Sequence, residues 1–406
     1  MSIKAYKYRI DASKATAEKL QWVLDRAREL YNAALAERKE AWRMAGKSIG
    51  YYEQKRDLVE IKEEIRPEYQ DIASHVLQDV ILRVKRAYDN FFRRVKNGEK
   101  PGHPRFQGRN RYDSFTYPDG AGWKLEMVKE PDEKRGKGRG KLHLSKIGTV
   151  KVKLHREMAG KIKTLTIKRE RQHWYAVFTC EVETKHLPVS HEDVGIDLGV
   201  THFAALSNGK LIDHPRYFRH AEKKLARAQQ AVSRKKKGSH RRAKAVKQLA
   251  KHHRKVRNQR RDFHHKASRQ LVNSYQVIVF EDLQAKNLTK APAPKQDEAT
   301  GQYLPNGAAA KAGLNTSILD AGWATFTEMV SAKAAWAGRG VVFVNPKNTS
   351  QLCSGCGAVV KKDLSVRWHS CGCGTGLDRD TNSAKLILHL GYQQLSGRTG
   401  PTSATA

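Results

Sequence analysis

The stretch VGIDLGVTHFAALSNGK, residues 194–210, decides how the chain is read. An apolar strand ends in a single acid, Asp197, turns at Gly199 and gives way to a second apolar strand, HFAAL. A carboxylate at the end of a buried strand is costly to desolvate unless an opposite charge meets it. A divalent cation held by oxygen ligands is the usual partner. The pattern returns in VIVFEDL, residues 277–283, where Glu281 follows an apolar strand. A third acid, Asp380, opens the apolar helical run in LDRDTNSAKLILHL, residues 377–390. Three acids far apart in sequence, each at the edge of an apolar element, predict one oxygen-lined site for two Mg²⁺ ions, an arrangement that cleaves phosphodiesters.

Composition narrows the partners. The chain has 406 residues, enough for two or three domains, with 77 Lys and Arg against 41 Asp and Glu, a formal net charge of +36. That imbalance says nothing about fold but selects a polyanionic partner. No apolar run approaches the roughly 18 residues of a membrane span. The N-terminal MSIKAYKYRI lacks the apolar core of a signal peptide. A reducing, cytoplasmic setting is therefore expected. Of five cysteines, four cluster between positions 353 and 373, and Cys180 stands alone as a core residue.

Outward from the opening stretch, the N-terminal part reads as a small β-barrel-like domain interrupted by helices. IKAYKYRI alternates as a strand. From Thr16 to Ala45, Leu20, Leu24, Ala27, Tyr31 and Leu35 recur at helical spacing, with Gly46 at the C-terminal end. A second helix is expected from about Ser74 to Lys96, its buried stripe formed by Leu77, Ile81, Val84, Tyr88 and Phe91. Its basic residues, Arg83 among them, read equally as a solvated face or a nucleic-acid face. The Gly-, Pro- and Arg-rich loop that follows carries Phe106, Tyr112, Phe115 and Tyr117, either as bases' stacking partners or as anchors of the loop. Strands KLHLS, TVKVKL, KTLTIKRE and HWYAVFTCEVE follow, the last two as a hairpin turning near Arg169 to Gln172.

Beyond the linker TKHLPVSHED, residues 216–270 hold 21 Lys and Arg against two acids. Leu225, Val232, Val256, Phe263 and Leu271 preserve an apolar side, so two ordered helices broken at Gly238 and lying against nucleic acid are expected. Residues 289–313 read as a mobile Pro/Gly/Ala-rich loop, followed by one helix from Ser317 to Ala337 and a strand VVFVNP.

Cys353 and Cys356 form C-x-x-C, and Cys371 and Cys373 form C-x-C fourteen residues later. Four thiolates so spaced fit a structural, tetrahedral Zn²⁺ ribbon. The second pair is one residue short of the usual knuckle, and His369 is a candidate substitute ligand.

Together YKYRI, ELYNAAL, AYDNFFRRVKNGEKPGHPRF, GIDLGV, VFEDL, LNTSILDAGWATF, NPKNTSQLCSGCG and DRDTNSAKLIL resemble the TnpB family, transposon-encoded RNA-guided DNA nucleases related to compact type V CRISPR effectors. The resemblance spans nearly the whole chain. It implies an α+β multidomain protein with an RNase H-like (RuvC) nuclease domain carrying a zinc ribbon. The implied division is a β (wedge-like) domain at 1–10 and 111–188, a helical recognition domain at 11–110, the nuclease domain at 189–345 and 378–391, a zinc-ribbon target-strand-loading segment at 346–377, and a disordered tail at 392–406. It implies a Mg²⁺-dependent endonuclease whose catalytic acids are Asp197, Glu281 and Asp380, with Asp378 competing for the third place. The implied partners are a guide RNA from the transposon end, one protein per RNA, and double-stranded DNA beside a short flanking motif. Ser383, where the family has Ala, and the C-x-C pair depart from the pattern. The rival readings are a nuclease-inactive RNA-guided repressor, an RNase H-like transposase and a plain RNA-binding zinc-ribbon protein.

Overall fold

Side-chain alternation organises the N-terminal half of the computed structural model, which describes residues 2–131, 138–171, 173–184, 186–363 and 365–397. Strand β1 (Ser2–Asp11) buries Tyr6, Tyr8 and Ile10 and turns the residues between them outward. Helix α1 (Lys14–Ala45) begins where the Ser13 hydroxyl accepts the Thr16 N–H at 3.1 Å and stops at Gly46, whose φ of 60° lets the chain leave the helix. The expected stripe, Leu20, Leu24, Ala27, Tyr31 and Leu35, is buried. Helix α2 (Tyr51–Glu60), a π turn (Ile61–Ile65) and a 3₁₀ turn (Pro67–Asp71) then lead to α3 (Ser74–Lys96).

The sheet resumes with β2 (Ser114–Tyr117), β3 (Trp123–Lys129), β4 (Gly138–Leu144), β5 (Gly148–Leu154), β6 (Lys161–Glu170) and β7 (His173–Val182). Its order is β2-β6-β7-β1-β5-β4-β3, antiparallel throughout. Strand β1 is therefore central in the sheet although three helices follow it in the chain. The β6–β7 hairpin forms as expected; Gln172 in its turn lies outside the described residues. Cys180 is fully buried.

One open alternative closes here and one expectation changes. Tyr112, Phe115 and Tyr117 are buried anchors, which leaves Phe106, 51% exposed, as the loop's one ring open to a partner. Arg83 does not face outward. It pairs with buried Asp79 at 2.8 Å and donates to the Ser114 carbonyl and the Thr116 hydroxyl, both at 2.7 Å, tying α3 to β2.

The chain divides into two units, Met1–Thr184 and Lys185–Ala406. The second is built on β8 (Val194–Asp197), β9 (His202–Leu206) and β10 (Leu211–Asp213), an antiparallel meander. Helices α4 (Tyr217–Ser233) and α5 (His240–Ser274) follow, broken at Gly238 with φ of 87°. They are ordered on the apolar side that Leu225, Val232, Val256 and Leu271 provide. Strand β11 (Val277–Glu281) then pairs in parallel with β8.

Residues 289–313 carry more structure than a loop. After the short α6 (Ala285–Leu288), β12 (Lys295–Gln296) and β13 (Tyr303–Leu304) form a small hairpin. The expected single helix is two, α7 (Ala308–Ala321) and α8 (Trp323–Ala337), separated by Gly322 with φ of 66°. Strand β14 (Gly340–Val344) completes a five-stranded sheet of order β10-β9-β8-β11-β14. The β15–β16 hairpin (Trp368–Ser370 and Gly376–Asp378) precedes α9 (Arg379–Leu395). Residues 392–395 of the expected disordered tail are thus helical, and 398–406 lie outside the described residues.

Both faces of this sheet are covered. Val194, Ile196, Ile278 and Phe280 pack against residues of α5 and α8, including Leu271, Val272, Phe326 and Val330. The alternate residues face α9, where Val279, Val342 and Val344 meet Ile387.

Candidate active site and cysteine cluster

Period-two alternation places the first two acids. In the parallel β8–β11 ladder Ile196 lies opposite Phe280, so Asp197 and Glu281, one residue on, end adjacent strands on the face that α9 covers. The seating of α9 is close because two glycines permit it. A Cβ on Gly195 would fall 2.1 Å from the Ala384 carbonyl oxygen, and one on Gly391 would fall 2.5 Å from Val279 Cγ2. Helix α9 starts beside the strand ends and carries Asp380 in its first turn.

The electrostatics agree with that placement. Burial, then the carboxyls of Glu281 and Asp380, push Asp197 up to about 8. Burial also raises Glu281, opposed by the Thr349 hydroxyl, which donates to Glu281 Oε1. Asp380 is flanked by cations, Arg379 at 3.6 Å and Arg367 at 3.9 Å. Asp378 is spent on the backbone instead. Its Oδ1 accepts the N–H groups of Asp380 at 2.9 Å and Thr381 at 3.1 Å, capping α9. Burial and the two further carboxyls disfavour charge on Asp197, a penalty that a bound cation would offset. Oxygen donors from all three elements suit a hard divalent ion.

The four cysteines form the tighter group. Their sulfurs are the one set of metal-ligating atoms among the described residues that lies within 4.8 Å of one another. Cys353 and Cys373 are 3.7 Å apart and Cys356 and Cys371 are 3.6 Å apart. A tetrahedron with Zn–S bonds of about 2.3 Å has edges of about 3.8 Å, so the cluster could hold a zinc ion. The short C-x-C pair reaches the site because the chain turns back at once: Gly374, with φ of 87°, donates to the Cys371 carbonyl at 3.0 Å, and Cys371 N–H donates to Thr375 at 3.0 Å.

His369 is therefore not needed as a substitute ligand. It is fully buried, in contact with Lys362 through Nδ1. Burial raises the Cys353 thiol, but the neighbouring His369 ring and the backbone N–H groups of Cys356 and Gly355 override it and bring the thiol down to about 6.

Thr349 and Asn382 join the site without a prior mark in the sequence reading. Asn382 is fully buried, and its amide bonds to the backbone of Leu352 and Ser354. Its place in D-x-N, two residues past Asp380, is the available signal.

Three family models match the chain. They are described as "Probable transposase" over residues 177–291, "Cas12f1-like, TNB domain" over 323–387 and "Helix-turn-helix domain" over 1–47. The last covers one strand and one long helix here. A protein of Escherichia coli provisionally named as the RNA-guided DNA endonuclease InsQ is 31% identical, over 97% of this chain and 94% of that protein. A provisionally named RNA-guided DNA endonuclease of Streptomyces pristinaespiralis is also 31% identical, over 98% and 95%. A TnpB-like protein of Acanthamoeba polyphaga mimivirus shares 31% over 38% of this chain and 27% of its own. Among solved structures, the mini-RNA-guided endonuclease CRISPR-Cas_phi3 superposes with a TM-score of 0.57 at 10% identity, covering 100% of this chain and 94% of that one, a likeness of fold. With two relatives at 31% identity matched almost end to end, the chain belongs to the TnpB family, the OrfB proteins of IS605-type elements.

Proposed function

We propose that this protein is an RNA-guided DNA endonuclease that cuts target DNA beside a short flanking motif. The observation that carries the reading is the arrangement of Asp197 and Glu281 on one face of adjacent parallel strands, with Asp380 brought to them by α9. The names of the full-length relatives support it. The strand order β10-β9-β8-β11-β14, with only the meander antiparallel, supports an RNase H-like (RuvC) domain.

In this reading Asp197, Glu281 and Asp380 hold two Mg²⁺ ions. When bound, the ions would lower the pKa of the attacking water and offset charge on the leaving 3′-oxygen. The chain's own residues do the positioning. Thr349 fixes the Glu281 carboxyl, Asp378 fixes the first turn of α9, and Arg367 and Arg379 supply positive charge beside Asp380 for the scissile phosphate. Helices α4 and α5 bring cationic surface to the RNA backbone, while base pairing reads the target strand. The β domain at 1–10 and 111–188 and the helices at 11–110 would hold the RNA scaffold and read the flanking motif. Residues 346–377, closed by zinc, would load the target strand. One protein per RNA is expected, in the prokaryotic cytoplasm at the nucleoid; no helix among the described residues is long and apolar enough to cross a membrane.

The decisive experiment is Asp197→Ala. Cleavage of a matched, correctly flanked duplex should vanish while guide-RNA binding persists; continued cutting overturns the assignment. The transposase reading, which one family description favours, is separated by the same preparation: RNA-free joining of donor ends supports it, and RNA-dependent cutting excludes it.

A further inference from the structure

The apolar stripe of α3 is not covered along its whole length. Leu77, Ile81 and Val84 are buried, but Tyr88 and Phe91, continuing the same stripe, are only half-buried. They open into a cavity of about 560 Å³ between the C-terminal turns of α1, the start of α2 and the end of α3. Its wall is aromatic. Tyr88 and Phe92 stack with centroids 6.3 Å apart, Phe91 and His103 stack at 4.4 Å, and Trp42 faces them from α1. Trp42 is 66% and Phe92 60% exposed, so more than half of each side chain meets solvent.

The charge around this wall chooses its occupant. Arg38, Lys39, Lys47 and Lys85 line the cavity; Lys85 pairs with Asp89 at 2.7 Å and Lys47 with Glu53 at 2.9 Å, which leaves Arg38 and Lys39 to meet an anion. The Arg38 guanidinium lies 5.8 Å from the Tyr88 centroid, and Lys39 Nζ lies 4.7 Å over the neighbouring exposed Phe106. An apolar peptide segment would gain from the rings and lose from burying the Arg38 and Lys39 cations. A nucleic-acid duplex would gain from the cations but hides its base faces in its own stack. An unpaired nucleotide offers both a π face and a phosphate.

We propose that this cavity is a binding site for an unpaired base of single-stranded nucleic acid, the base stacking on Trp42 and Phe92 and its phosphates meeting Lys39 and Arg38. The site rests on the nucleic-acid reading given above but not on cleavage.

The test uses the full chain carrying Asp197→Ala and a short oligothymidylate labelled with photoactivatable thiothymidine. Crosslinks should map by mass spectrometry to peptides spanning 38–51 and 85–106. Trp42→Ala with Phe92→Ala should weaken binding of the oligonucleotide about tenfold or more, leaving duplex binding unchanged. Both side chains are exposed, so the melting temperature should hold; should it fall, the crosslink map of the parent chain decides alone. Crosslinks that avoid these peptides, the outcome expected if a protein segment fills the cavity, overturn the proposal. A wild-type chain that crosslinks here but never cuts keeps the site and loses the nuclease; one that cuts without crosslinking here does the reverse.

Discussion

Asn382 holds Cys353 in place from the helix that carries Asp380. Its Nδ2 donates to the Leu352 carbonyl at 2.8 Å and its Oδ1 accepts the Ser354 N–H at 2.9 Å, so one buried amide grips the backbone on both sides of the cysteine. Asn382→Ala should remove two hydrogen bonds to half-buried backbone groups, at a cost of about 1 kcal/mol each. The expected outcome is a lower melting temperature and faster zinc release to a colorimetric chelator. Unchanged release kinetics would show that the two sites are independent.

What the sequence revealed and what it hid divide by distance. The strand ends at Asp197 and Glu281 were legible because a charged residue after a short apolar run is conspicuous by itself. The buried stripe of α1 was legible because its period lies within one element. Arg83 was ambiguous because its partners Ser114 and Thr116 lie about thirty residues away. Thr349 could not be linked to Glu281 across 68 residues. The break at Gly322 was hidden because apolar residues continue on either side of it, Ile318 before and Trp323 and Phe326 after. The C-x-C spacing looked too short because a turn closed by Gly374 is a backbone property, not a pattern of side chains.

Gly195 should tolerate no side chain. A Cβ there would press on Ala384 O at 2.1 Å and Leu388 N at 2.6 Å, both backbone atoms of α9 that cannot rotate away. Gly195→Ala should destabilise the fold by about 1–3 kcal/mol or more and displace Asp380 from Asp197, reducing cleavage by about a hundredfold. Gly120→Ala, with nothing within 4 Å, is the control. Thermal melts and single-turnover cleavage on RNA-loaded protein check both; equal rates for the two variants would mean that α9 is not held by this contact.

Asp197 predicts a pH dependence with a definite sign. Its folded-state pKa, about 8, lies above the ordinary 3.8, so the folded chain binds a proton that the unfolded chain releases. Stability from this group is present below pH 4 and lost as pH rises through about 8, by at most about 1.4 kcal/mol per pH unit. Asp197→Asn should flatten that part of the profile. Mg²⁺ should raise the melting temperature of the parent chain at pH 8 far more than at pH 5, and should do little for the variant. An equal Mg²⁺ effect on both chains would argue against a cation at Asp197.

The cysteines should not be equivalent. Cys353 is 1% exposed and held by the Gly355 N–H and the Asn382 grip, whereas Cys356 is exposed. Zinc binding is expected at one ion per chain. Cys353→Ser should lose it outright but leave α9 protected, because Asn382 holds the backbone on either side of position 353 and not its side chain. Cys356→Ser should weaken zinc binding, also leaving α9 protected. Hydrogen exchange followed on residues 352–376 and 380–384 checks both. In each variant the former segment should open and the latter stay closed, with the wider opening in the first. Chelation of the parent chain should resemble Cys353→Ser, since both remove the ion and leave the Asn382 hydrogen bonds able to form.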